Sequence, residues 1–196
     1  MLSDTATVAP GSYLCAIYLT MGAILFMPIA VIRWQLIQKL DQAAITSSTL
    51  NALNRLSVIT ATLKALGALI LAYAPYNDNQ YVVHVLSANT LFIAFTMDMY
   101  LQSRISYMIH YDSTGRLQNR IFYIALITFI WFMLCNSLTF NFYQDIMYNY
   151  EFRRMLNYGQ PGYIIHTIGA IMEWTHVLTY GPYAYSFRYL CKVKLN

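Results

Sequence analysis

The chain has 196 residues, of which 58% are hydrophobic and 10% charged, with a formal net charge of +4. A soluble domain carries roughly 25% charged residues, so a water-facing surface is excluded. The Lys and Arg residues form no cluster that could track a phosphate backbone, which excludes nucleic acid as an expected partner.

A hydrocarbon core of about 30 Å takes about 20 helical residues at 1.5 Å each. Five runs of that kind follow one another. The first, Tyr13 to Ile32, comes after an opening, Met-Leu-Ser-Asp-Thr-Ala, that lacks the basic stretch of a signal peptide, so it is expected to be a retained span. Leu53 to Ala74 and Tyr81 to Ser103 are separated by the turn-forming residues from Pro75 to Gln80, which predict a tight hairpin. Asp112-Ser113-Thr114-Gly115 is expected to break the chain before the fourth run, Ile121 to Phe142. The fifth, Tyr163 to Phe187, is long and contains Gly181-Pro182, which predicts a kink or an early end. The expectation is an all-α, polytopic transmembrane bundle of about five spans, forming one domain over residues 1–196.

Orientation follows from the basic residues, because cytosolic loops are enriched in Lys and Arg. Arg33, Lys39 and Arg55 flank the first loop, Arg104, Arg116 and Arg120 the third, and Arg188, Lys192 and Lys194 the tail, whereas Arg153 and Arg154 fall on the other side. The N-terminus is therefore expected to be lumenal or outside and the C-terminus cytosolic. Tyrosines grouped near the span ends, such as Tyr73, Tyr76 and Tyr81, read as interface anchors. The three cysteines, Cys15, Cys135 and Cys191, fall within or at the ends of apolar runs and suit neither a disulfide framework nor a zinc site with paired spacing.

Charge at mid-bilayer costs several kcal/mol unless it is paired or hydrated, so the ionisable residues inside the spans are the most informative. Lys64 lies roughly 16 Å below Pro75 and Glu173 roughly 15 Å below Tyr163 on the helical rise. Depth thus predicts Lys64 paired with Glu173, and Arg55 with Asp98. Helical phase groups Asn54, Ser57, Ala61, Lys64 and Ala68 on one face of the second span. The same spacing groups His84, Ala88, Leu91, Phe95, Asp98 and Gln102 in the third, and His166, Gly169, Ala170, Glu173, His176 and Tyr180 in the fifth. These small-and-polar faces are expected to meet at the bundle centre, with His84 and His166 near the lumenal mouth. The set Lys64, His84, Asp98, His166, Glu173 and His176 is the candidate site, either holding the helices together or receiving a lipid headgroup or ion. Glu173 and His176 have the i, i+3 spacing of bundle metal sites, but one copy lacks the second pair such sites need, so no metal or other cofactor is expected. No nucleophile triad or Gly-rich phosphate loop is present, and no enzymatic activity is expected.

Several motifs carry a resemblance. Asn54-Arg55-Leu56-Ser57 with Leu66-Gly67, His84 followed by Tyr100-Leu101-Gln102, and Gly162-Tyr163 with His166 and Ala170-Ile171-Met172-Glu173-Trp174 resemble the damage-regulated autophagy modulator family. Relatives in that family are named for FGF-receptor activation, GPI-anchor lipid remodelling and phosphoinositide control. The likeness runs from about Gly11 to Lys194, with overall length and loop sizes closest to the autophagy-modulator branch. Family members are expected to have six spans, and the first span here corresponds to their second, so the resemblance implies that the family's first helix is absent. It also implies a non-enzymatic protein of lysosomal or other endomembranes that promotes autophagy and, in some settings, apoptosis. Membrane lipids and membrane or autophagy-machinery proteins are the expected partners. Lipid handling and a channel or proton-coupled transporter are the alternatives.

Overall fold

The computed structural model describes residues 10–43, 48–74, 80–110, 113–143 and 156–187, which form helices and no strands. In chain order they are α1 (Gly11–Ala43), α2 (Ser48–Tyr73), α3 (Tyr81–His110), α4 (Ser113–Phe142), α5 (Tyr163–Leu178) and α6 (Tyr180–Ser186). The turn expected over residues 75–79, Asp112, Arg153, Arg154, Cys191 and the basic tail from Arg188 lie outside the described residues.

The distribution of side chains is the reverse of a soluble protein's. Ile24, Ile32, Leu86, Ile127 and Ile164 are each more than half exposed, whereas Asn54, Gln102, Gln118 and Thr139 are at most 3% exposed. Exposed apolar side chains over whole helices are stable only against hydrocarbon, and backbone groups there are satisfied within each helix. Buried serines and threonines follow the same rule, as Ser57, Thr96, Thr128 and Thr139 donate to carbonyls three or four residues back. The chain is an all-α integral membrane bundle.

Four stretches, Gly11–Lys39, Ser48–Tyr73, Tyr81–Ile109 and Gly115–Phe142, are long and apolar enough to cross a membrane. The helices outrun the expected spans, because apolar content marks only the lipid-immersed part. α1 continues past Ile32 to Ala43, α3 past Ser103 to His110, and α4 begins at Ser113 rather than Ile121. Ser113-Thr114-Gly115 therefore opens a helix instead of breaking one. Gly115 serves the α3–α4 approach, since a Cβ there would lie 3.5 Å from the Tyr107 ring and backbone.

The fifth expected span is two helices. α5 ends at Leu178, and Thr179 joins it to α6 with φ −66° and ψ −21°. Pro182 explains the break: it has no N–H for the Leu178 carbonyl, and its ring crowds that turn. From Tyr163 to Ser186 the pair is long enough, at about 36 Å, to traverse the core.

Packing follows chain order. The extensive contacts join α1 to α2, α2 to α3, α3 to α4, and α4 to α5 and α6. The tightest approach is at Gly67, where a built Cβ would fall 3.0 Å from the Leu91 nitrogen and 3.1 Å from the Ser87 carbonyl oxygen. Among the described residues α1 makes no comparably extensive contact with α5, so the ring of helices is open between those two, while lower down Arg33 of α1 lies over the Phe187 ring at 4.3 Å.

Candidate functional site

The faces expected to be buried are the faces that pack. Asn54, Ser57, Ala61, Lys64 and Ala68 on α2 are all buried, as are His84, Leu91, Asp98 and Gln102 on α3 and His166, Gly169, Glu173 and His176 on α5. Pairing among them differs from the depth count. Lys64 Nζ donates to Asp98 Oδ2 at 2.5 Å, with both side chains 9% exposed. The acid on Lys64 is thus Asp98 rather than Glu173, and the cation on Asp98 is Lys64 rather than Arg55.

Register and side-chain direction explain the correction. Gly67 lies level with Ser87 to Leu91, which sets Lys64 and Asp98 about six residues, or ~9 Å, apart along the axis. Each Cα–Cβ bond tilts towards its own helix N-terminus, so on antiparallel helices these two side chains lean towards each other. The lysine's four-carbon stem covers the remaining distance. Arg55 follows Asn54 directly, off the buried stripe, and is exposed.

The ion pair anchors a wider network. Gln102 Nε2 donates to Asp98 Oδ1 at 3.2 Å, and Arg33 of α1 donates to Gln102 Oε1. Tyr183 of α6 donates its hydroxyl to the Asp98 carbonyl at 3.3 Å. A second cluster, in which Ser106 donates to Gln118 and Gln118 to Ser186 at 3.0 Å, ties α6 to α3 and α4. Both networks draw on α6, which gives the short helix after the Pro182 break a defined seat.

Above the ion pair lies an aromatic layer. Phe26 meets Phe95 edge-on at 5.2 Å, and Phe95 stacks on Tyr180 at 3.8 Å. The Lys64 ammonium is 5.2 Å from the Phe26 centroid and 5.0 Å from that of Phe95, within cation–π range. These three rings floor a cavity of about 490 Å³ that α1, α3 and α5 enclose with the hairpin end of α2. Its walls are mainly apolar, including Ala16, Leu19, Gly22, Ala88 and Leu91, with His84 towards the hairpin end and Glu173 at mid-depth. Lys64 and Asp98 do not line it. The cavity's volume falls in the usual range for small-molecule sites, about 300–1,000 Å³, and its wall on α1 from Ser12 to Phe26 runs about 21 Å along the helix.

The candidate residues therefore separate into three settings. Lys64 and Asp98 form the ion pair under the aromatic layer, while His84 and Glu173 face the cavity above it. His84 Nδ1 is 2.7 Å from the Ala74 carbonyl, which can only accept, so that nitrogen carries the hydrogen. His166 is buried on α5 but does not line the cavity beside His84. His176 faces α4, with Nδ1 3.0 Å from the Ala125 carbonyl and its ring among Phe92, Phe129 and Tyr180. Glu173 and His176, three residues apart, thus have different surroundings, and no group of three or more potential metal ligands occurs among the described residues. Sequence reasoning missed Phe26, Arg33 and Tyr183. Phe95 and Tyr180 carried a usable signal, since both fall on the buried stripes, but α1 has no polar stripe to phase it.

Comparison with known proteins adds independent weight. Residues 1–189 match the family model described as the Frag1/DRAM/Sfk1/Cwh43P N-terminal domain. The chain is 26% identical over 188 residues to DNA damage-regulated autophagy modulator protein 2 of Bos taurus, covering 91% of this chain and 66% of that protein. Against the protein of the same name from Homo sapiens the identity is 26% over 183 residues, covering 89% and 65%. The chain thus spans slightly less than two thirds of the length of these relatives. No solved structure matches it. With almost the whole sequence matched by the family model, on a helical membrane bundle whose buried stripes carry the motifs noted above, the chain belongs to the Frag1/DRAM/Sfk1/Cwh43P N-terminal domain family.

Proposed function

We propose that this protein is a non-enzymatic, lipid-binding membrane protein that modulates autophagy on lysosomal or other endomembranes, with its N-terminus lumenal and its C-terminus cytosolic. The autophagy assignment is supported by family membership and by the printed name of two relatives at 26% identity. The observation that carries the lipid reading is the cavity. It is long, mainly apolar, parallel to the helix axes and bounded by α1 and α5, which make no extensive contact with each other among the described residues. Such a cleft matches the shape and direction of a lipid chain in one leaflet. The aromatic layer favours this reading over a channel, because Phe26, Phe95 and Tyr180 stand between the cavity and the Lys64–Asp98 pair.

The test is native mass spectrometry of the full chain purified in mild detergent, alongside Ala16→Phe, which places a ring in the cavity from the exposed helix α1. Wild type is expected to retain a defined lipid and the variant to lose it with its fold intact. In cells, Ala16→Phe should then reduce the change in autophagic flux caused by expressing the wild-type chain. Wild-type protein stripped clean of lipid in mild detergent would contradict the lipid reading. Equal effects of both forms on flux would separate lipid binding from autophagy.

A further inference from the structure

The cavity's chemistry also specifies the headgroup. Among the described residues its lining contains one carboxylic acid, Glu173, and neither Lys nor Arg. The nearby cation, Lys64, is held on Asp98 beneath the aromatic layer. A carboxylate in such an apolar setting is stabilised by a cation with hydrogens to donate and repels an anion. Four lone-pair sites let it take a ligand's hydrogen bonds in addition to those of the protein.

The molecule already builds this kind of ammonium site with its own side chain. Lys64 Nζ rests on Asp98 at 2.5 Å with the Phe26 and Phe95 rings at about 5 Å. Both rings also line the cavity, together with Glu173, Phe92 and Tyr180. The same three ingredients, an acid, aromatic rings and an apolar wall, thus recur one layer higher, where a ligand rather than a lysine would supply the nitrogen. Glu173 lies at mid-depth, about 15 Å from Tyr163 on the helical rise, so a nitrogen reaching it must carry an apolar body suited to the bilayer.

We propose that the cavity binds a single-chain lipid amine from the surrounding bilayer, its ammonium on Glu173 among the aromatic rings and its hydrocarbon chain along α1. Entry is lateral, through the side left open between α1 and α5. This rests on the reading of the cavity as a lipid site and adds to it a preference for amines over alcohols and acids.

The test uses the purified full chain in detergent, with radiolabelled hexadecylamine as ligand and unlabelled hexadecylamine, hexadecanol and palmitate as competitors. Saturable binding is expected, displaced by the amine and not by the other two at tenfold higher concentration. Glu173→Gln should weaken amine binding about tenfold or more, the scale of one charge-assisted hydrogen bond. Ala16→Phe should abolish binding altogether. Glu173→Asp, which keeps the charge, should retain the amine preference and serves if the Gln variant does not fold. Equal displacement by hexadecanol and palmitate would overturn the amine assignment and leave the lipid reading standing. So would a protein that retains a co-purified lipid but shows no saturable amine binding. A wild-type protein that retains no lipid and binds none of the three would overturn both.

Discussion

At the scale of single residues, the Lys64–Asp98 pair is where energy is most concentrated. A buried ion pair contributes little net stability, but removing one partner strands the other charge, typically at a cost of about 3–5 kcal/mol. Lys64→Met and Asp98→Asn should each lower the thermal midpoint in detergent steeply, whereas the two combined should recover most of the loss, since the amide oxygen that replaces the carboxylate still accepts from Gln102. A double-mutant cycle measures this coupling directly. Arg55→Ala should leave the midpoint unchanged, because its side chain is exposed. A large loss there would restore the pairing that depth counting favours. Residue identity and helical phase were enough to find Lys64, Asp98 and Glu173 as buried groups. They did not assign partners, because depth counted at Cα ignores the opposite lean of side chains on antiparallel helices.

At the scale of helices, two glycines predict opposite responses to the same change. Gly67 packs against the α3 backbone, where a new Cβ would meet the Leu91 nitrogen at 3.0 Å. Backbone atoms cannot swing aside, so Gly67→Ala should force α2 and α3 apart and cost roughly 1–3 kcal/mol, the range for overpacking. Gly181 has nothing within 4 Å of the same position. Gly181→Ala should therefore be neutral or stabilise by up to about 1 kcal/mol through the unfolded state. Thermal unfolding of the two variants side by side in one detergent checks the contrast. The Gly181-Pro182 sequence announced the end of α5, since proline's missing N–H is a local property. It did not announce α6, whose seat on Asp98 and Gln118 is built by other helices.

At the scale of the whole molecule, the helices form an open arc in which α1 rests on α2 and leaves one side of the cavity facing lipid. The proposed topology predicts that, with the native cysteines replaced, Gln80→Cys is labelled by an impermeant maleimide only from the lumenal side and Lys39→Cys only from the cytosolic side. The reverse pattern would invert the orientation. Composition by itself determined that lipid is the solvent, and the 3.6-residue period determined which faces of α2, α3 and α5 turn away from it. Both are sums over local sequence and need no knowledge of neighbours. The tertiary structure alone decided which acid meets Lys64, how Phe26, Phe95 and Tyr180 divide the ion pair from the cavity, and where the bundle stays open. Each of those outcomes depends on the register between helices distant in sequence, which is fixed by close packing at points such as Gly67 and is not encoded in the pattern of any one span.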